Sequence, residues 1–213
     1  MPARSPMAKP MLWLPEPAAA TKVCGGFDGS ENNDWTAIRL ETHAGRLFTP
    51  RYGPDRRPTI WNPAEWGGSI PRHEVHVAME EINRRFVVAR FYCDPEDWRS
   101  EIGEWSVTYG EKVYVEWPTN KYLRMSAALK TFITDLSTGA LTHDGCPITA
   151  VHIANARKKA QPRDLYTIQK PHGADHQKID AAMASVLAHE AAVDARADGW
   201  TDEPEFAYGW ASA

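Results

Sequence analysis

Val23-Cys24-Gly25-Gly26-Phe27-Asp28 is an apolar stretch that closes on a carboxylate. It is too short for a helix, and Lys22–Phe27 reads as a buried strand. A polar turn from Gly29 to Asp34 follows, and Trp35–Glu41 alternates as a second strand. Gly45 marks another turn into a short third strand, Arg46–Thr49. The chain thus begins with three strands joined by tight turns, an antiparallel start.

Farther on the pattern changes. Pro50–Gly68 is rich in Pro, Gly and Trp and is expected to be a long surface loop. The spacing of Val75, Met79 and Ile82 predicts a helix over Pro71–Arg84. Phe86–Cys93 is nearly continuously apolar, as a strand buried on both faces should be, and it too ends on an acid, Asp94. Pro95 opens a helix with Trp98, Ile102 and Trp105 at helical spacing, and Lys112–Trp117 is another strand. Lys121–Ser137 is the clearest helix, with Met125, Leu129, Phe132 and Leu136 in register. A helix over Pro147–Lys159, a strand over Leu165–Ile168 and a last helix over His176–Arg196 complete the order. An antiparallel start followed by alternating helix and strand predicts an α/β fold, an RNase H-like mixed central sheet with helices on both faces.

The 213 residues are enough for one such domain, expected over residues 21–197. Residues 1–20 hold five prolines and an Ala tract and read as a leader or linker, and residues 198–213 read as an acidic tail. No apolar run approaches the roughly 20 residues needed to cross a bilayer, and the first twenty residues lack the apolar core of a secretory signal. A cytoplasmic location, with no membrane partner, is the expectation. Three cysteines without paired spacing argue against a disulfide framework or a zinc site. The net charge of −4 resides in residues 194–213, so the remainder is balanced. Basic clusters at Arg51/Arg56/Arg57, Arg84/Arg85 and Lys158/Lys159/Arg163 are candidates to track phosphates, or simply solvated faces.

Three acids stand where an apolar element meets a polar loop: Asp28, Asp94 and Asp180. Each has a local explanation. Asp28 can start an Asx-turn, Asp94 before Pro95 can cap a helix, and Asp180 can lie exposed beside Ile179. Together, in an RNase H-like arrangement, they would converge on the end of the sheet, a costly cluster unless cations neutralise it. Oxygen ligands suit hard divalent ions, and a pair of such ions can clamp the attacking and leaving oxygens of a phosphodiester. Asp175 is a further candidate ligand, or a cap for the last helix. Asp34 is assigned to the turn, His152 and Asn155 to packing on one helix face, and His143 and Lys170 are weaker candidates for phosphate contact.

These residues match a known pattern. Gly26-Phe27-Asp28-Gly29-Ser30 with Asn33-Asp34-Trp35-Thr36-Ala37, Tyr92-Cys93-Asp94-Pro95 with Trp98 and Tyr109-Gly110, Leu141-Thr142-His143-Asp144-Gly145 with His152 and Asn155-Ala156, and Lys178-Ile179-Asp180-Ala181-Ala182 with Ala184 occur in this order. The chain resembles, over about Val23–Ala192, the RNase H-like nuclease domain of the large terminase subunit of tailed phages. The resemblance implies an endonuclease that cuts concatemeric viral DNA during genome packaging. Asp28, Asp94 and Asp180 would be its metal-binding catalytic acids and two Mg²⁺ or Mn²⁺ ions its cofactors. Its partners would be double-stranded DNA, a packaging ATPase, the small terminase subunit and the portal. No Gly-Lys dipeptide occurs, so the chain has no Walker A phosphate loop of its own. Another RNase H-like nuclease, such as a Holliday-junction resolvase, and a non-catalytic docking module are the competing readings.

Overall fold

Lys22–Asp28 (β1) is the central strand, and two glycines explain why it can be. Side chains alternate across a strand. Val23, Gly25 and Phe27 face one side, and Cys24, Gly26 and Asp28 face the other. A Cβ on Gly25 would lie 2.3 Å from the Phe91 ring, and one on Gly26 would lie 2.2 Å from the Ala184 carbonyl oxygen. Both faces of β1 are therefore covered at contact distance, one by an aromatic side chain and the other by helix backbone.

The computed structural model describes residues 12–31 and 34–202. The strands after β1 are β2 (Thr36–Thr42), β3 (Arg46–Phe48), β4 (Arg51–Tyr52), β5 (Arg57–Pro58), β6 (Ile60–Trp61), β7 (Val87–Cys93), β8 (Tyr114–Glu116), β9 (Thr142–His143), β10 (Arg157–Gln161) and β11 (Leu165–Gln169). The helices are α1 (Arg72–Arg85), α2 (Arg99–Tyr109), α3 (Tyr122–Thr138), α4 (Pro147–Asn155) and α5 (Asp180–Ala197). The main sheet runs β8-β7-β1-β2-β3-β9, with β6 added along β2. β1, β2 and β3 are antiparallel neighbours, whereas β7 lies parallel to β1 and β8 parallel to β7. This is the mixed sheet the sequence order predicts.

Two apolar layers sandwich it. On the Phe27 side, Ile38, Phe48, Trp61 and Phe91 pack with Val75, Met79 and Ile82 of α1 and with Ile102 and Trp105 of α2. On the Cys24 side, Tyr92 and Trp117 pack with Met125, Leu129 and Phe132 of α3 and with the Ala-rich face of α5. β2 is buried along its whole length, so its two charged residues need partners. Arg39 pairs with Asp144 at 3.2 Å, and Glu41 meets His189 at 2.8 Å and also Arg196.

Several elements differ from the sequence expectation. Pro50–Gly68 is no surface loop: Tyr52, Thr59, Ile60 and Trp61 are buried, and β6 extends the sheet beside β2. β7 is buried on both faces only at Phe91–Cys93, and Val87 is 50% exposed. β8 pairs with only the last three residues of β7. α2 begins at Arg99 rather than at Pro95, and α4 ends at Asn155. Residues Arg157–Gln169 form a separate antiparallel hairpin off the main sheet. Among the described residues no helix is long and apolar enough to cross a membrane, and all three cysteines are free and buried.

Candidate active site

Alternation along the strands decides where the first two acids point. Asp28 shares the parity of Gly26, and Asp94 that of Tyr92, so both are on the face that α5 covers. Phe27 pairs with Cys93 in parallel register, and the Asp94 amide donates to the Phe27 carbonyl at 3.0 Å. The two carboxylates thus leave neighbouring strand ends side by side. Asp180 is the first residue of α5, which crosses the same face. Gly26 lets that helix sit directly on β1, because any Cβ there would collide with Ala184 and Ala188 backbone.

Local contacts fix each position. The Trp98 indole donates to the Ser30 carbonyl at 3.2 Å, and the Glu31 amide donates to Asp97 at 3.3 Å, holding the loop after Asp28. Asp94 does not cap α2, since α2 starts five residues later; its carboxylate accepts the Thr119 hydroxyl instead. The Ala181 amide donates to His152 Nδ1 at 3.0 Å, and the Asn155 amide group donates to the Lys178 carbonyl at 2.9 Å. α4 therefore anchors the first turn of α5, which makes His152 and Asn155 the packing residues that the sequence suggested.

The result is one open cleft of about 450 Å³ lined by Asp28, Asp94 and Asp180, together with Asp34, Glu96, Asp97, Thr119 and Lys170. Burial, and then the charges of Asp180 and Asp94, push the Asp28 carboxyl well above the usual carboxylate range. Burial and Asp34 push Asp180 up as well, against the opposing pull of Lys170 and Lys178. Burial also raises Asp94, although the Thr119 hydroxyl opposes it. The Asp180 Oδ2 atom is buried and has no hydrogen-bond partner. Such an orphan oxygen beside two like charges is the surrounding a divalent cation stabilises, and an all-carboxylate donor set suits a hard ion. Among the described residues no group of three or more His, Cys, Asp and Glu side chains is already gathered tightly enough to hold an ion.

Two residues differ from their sequence assignment. Asp175 is exposed, lies five residues before α5 and is not part of the cleft. Asp34 does line it, and it pairs with both Lys170 and Lys178. The basic clusters are largely spent elsewhere. Glu16 and Glu81 each pair with Arg56 and Arg85, and Glu81 also meets Arg84. Arg51 stacks on Trp13 and Arg57 on Trp66.

Fold and cleft together define the class: an RNase H-like α/β domain with carboxylates gathered at the ends of two parallel strands. The model of the terminase large subunit endonuclease domain matches residues 56–195, and the chain belongs to that family. That match includes Asp94 and Asp180 and begins after Asp28. The chain is 32% identical over 183 residues to the gene 13 protein of Mycobacterium phage D29, covering 81% of this chain and 29% of that protein. The chain thus spans under a third of that relative's length. Its fold is similar to the large terminase nuclease of thermophilic phage G20c, with TM-score 0.60, 14% identity, and 84% of this chain and 93% of that one covered. The G20c nuclease is also known with bound magnesium and with bound cobalt. The large terminase of bacteriophage HK97 is similar with TM-score 0.63 and 15% identity, covering 85% of this chain and 41% of that one.

Proposed function

We propose that the chain is a metal-dependent endonuclease that cuts double-stranded viral DNA during genome packaging, with Asp28, Asp94 and Asp180 as its catalytic acids. One observation carries this reading: carboxylates from two strand ends and one helix start share a single cleft, and one of their buried oxygens lacks a partner. The magnesium and cobalt forms of the G20c nuclease support a divalent ion in this fold. Two Mg²⁺ or Mn²⁺ ions held by these acids would supply the charge that activates water and stabilises the leaving 3′-oxygen. The chain's own residues prepare the place. Thr119 orients Asp94, α4 holds the first turn of α5 and so Asp180, and Trp98 fixes the loop beyond Asp28. Family membership supports a packaging ATPase, a small terminase subunit and a portal as partners, in the cytoplasm of the infected cell.

The test is cleavage of plasmid DNA in Mg²⁺, Mn²⁺ and EDTA, beside Asp28→Asn and Asp180→Asn. Both variants are expected to lose cleavage, by on the order of 10³-fold or more. Metal should raise the melting temperature of the wild type but not of the variants, because a ligand that binds only the folded state stabilises it. Undiminished nicking by both variants in Mn²⁺ overturns the site.

A further inference from the structure

Six acids line the cleft: Asp28, Asp34, Asp94, Glu96, Asp97 and Asp180. Among the described lining residues, Lys170 alone brings a positive charge. It stands directly after β11, so the hairpin delivers it to the cleft, and Pro171 stiffens the chain behind it. Its ammonium bonds the Asp34 carboxylate, which also accepts from Lys178 at 2.8 Å. Burial favours a neutral Asp34, but the two lysines outweigh it and hold the carboxyl below its usual range. Asp34 is therefore occupied as a charged holder for lysines, unlike Asp180, whose Oδ2 has no partner. Lys170 is about a quarter exposed at its side chain, and it lines the cleft.

Resting on the nuclease reading, we infer that Lys170 is a further catalytic residue: its ammonium contacts a non-bridging oxygen of the DNA phosphate bound at the acidic centre, and Asp34 is the positioning residue that aims it. A phosphodiester approaching six carboxylates meets strong repulsion. A lysine in the same cleft, held by Asp34, supplies a positive charge against it. An ammonium is suited to this role because it is a compact point charge with three donors, one of which can stay on Asp34 while another meets the phosphate.

The test compares Lys170→Met, Lys170→Arg, Asp34→Asn and the double variant Asp34→Asn/Lys170→Met. Lys170→Met is expected to slow plasmid cleavage on the order of 100-fold, and Lys170→Arg to recover most of the rate. Binding of a fluorescent duplex oligonucleotide in Ca²⁺, a hard ion the same carboxylates can hold, reads the contact apart from the rate of cleavage. For Lys170→Met the slope of log affinity against log salt should shrink by about 0.9, one phosphate contact. If Lys170 served only to neutralise Asp34, removing both charges would restore the wild-type rate; the double variant is expected to stay as slow as Lys170→Met. Wild-type cleavage by Lys170→Met, an unchanged salt slope, or rescue in the double variant overturns the inference while leaving the nuclease reading intact. A wild-type chain that never cuts in Mg²⁺ or Mn²⁺ overturns both.

Discussion

His152 is a buried histidine whose Nδ1 is committed to accepting the Ala181 amide, with the Trp35 ring packed edge-on against it. Burial, and then the nearby Lys178 charge, lower its pKa to about 4. An unfolded chain would bind the proton near pH 6.5, so the neutral ring contributes its full stability above that pH and loses it as pH falls towards 4. The loss amounts to at most about 3 kcal/mol. In urea unfolding, the wild type should therefore lose stability relative to His152→Gln between pH 7.5 and 4, and a constant gap between the two proteins would contradict this. Residues of this kind differ in how far the sequence reveals them. Asp28 and Asp94 are legible because each closes an apolar run at a strand end, and Asp180 because it enters an Ala-rich helix. Asp34 is not, because its role comes from lysines 136 and 144 residues away. Asp175 looks like a cap only if α5 starts near His176; the helix begins at Asp180 without a side-chain cap.

α5 against β1 is the element pair on which the site depends. The helix is rich in alanine where it meets the sheet, with Ala184, Ala188 and Ala191 fully buried, and Gly26 completes the close approach. In Gly26→Ala the new methyl would lie 2.2 Å from the Ala184 carbonyl oxygen and 2.4 Å from the Ala188 nitrogen. Backbone cannot swing aside, so the helix must lift. The expected cost is about 2–3 kcal/mol, a fall in Tm of roughly 5–10 °C for a chain of this size. Cleavage should fall with it, because lifting α5 separates Asp180 from Asp28. Gly103→Ala is the control: its Cβ meets nothing within 4 Å inside α2, and it should stabilise by about 0.5–1 kcal/mol. Equal melting temperatures for the two variants would refute the packing argument. Among the elements, α1 and α3 are readable from their strong apolar period, and α5 is readable as an Ala-rich run that is buried on most sides. β10 is not, since Arg157-Lys158-Lys159-Ala160-Gln161 has little strand propensity and is extended because β11 pairs with it. β6 escapes notice for a similar reason, its two residues gaining their place only from the edge of β2.

At the scale of the whole molecule, the mixed α/β sheet is legible in the sequence, but the contacts of residues 12–20 are not. Residues 12–20 carry no helix or strand, as a Pro-rich leader should, yet they are bound to the body. The Trp13 indole donates to Asp144 at 3.1 Å and the Leu14 amide to the Asp144 carbonyl at 2.7 Å. Glu16 accepts the Arg51 amide at 2.9 Å and pairs with Arg85 at 3.1 Å. The strap ends on a buried charge: Asp144 is 1% exposed and also holds Arg39, the Thr49 amide and the Cys146 amide. Burial favours a neutral Asp144, but the Arg39 charge and these donors keep it ionised below the usual range. Nothing in a Pro/Ala composition announces such contacts; they depend on a tryptophan and a glutamate meeting partners 131 and 69 residues away. We therefore propose that Trp13 and Glu16, upstream of residue 21, belong with the folded body. A chain beginning at residue 21 should lose roughly 2–4 kcal/mol relative to the full chain, from the half-buried indole and the partners removed from Arg85 and Asp144. Trp13→Ala/Glu16→Gln in the full chain should reproduce most of that loss. If the chain from residue 21 unfolds at the same urea concentration as the full one, the strap contributes nothing and the folded unit starts at β1.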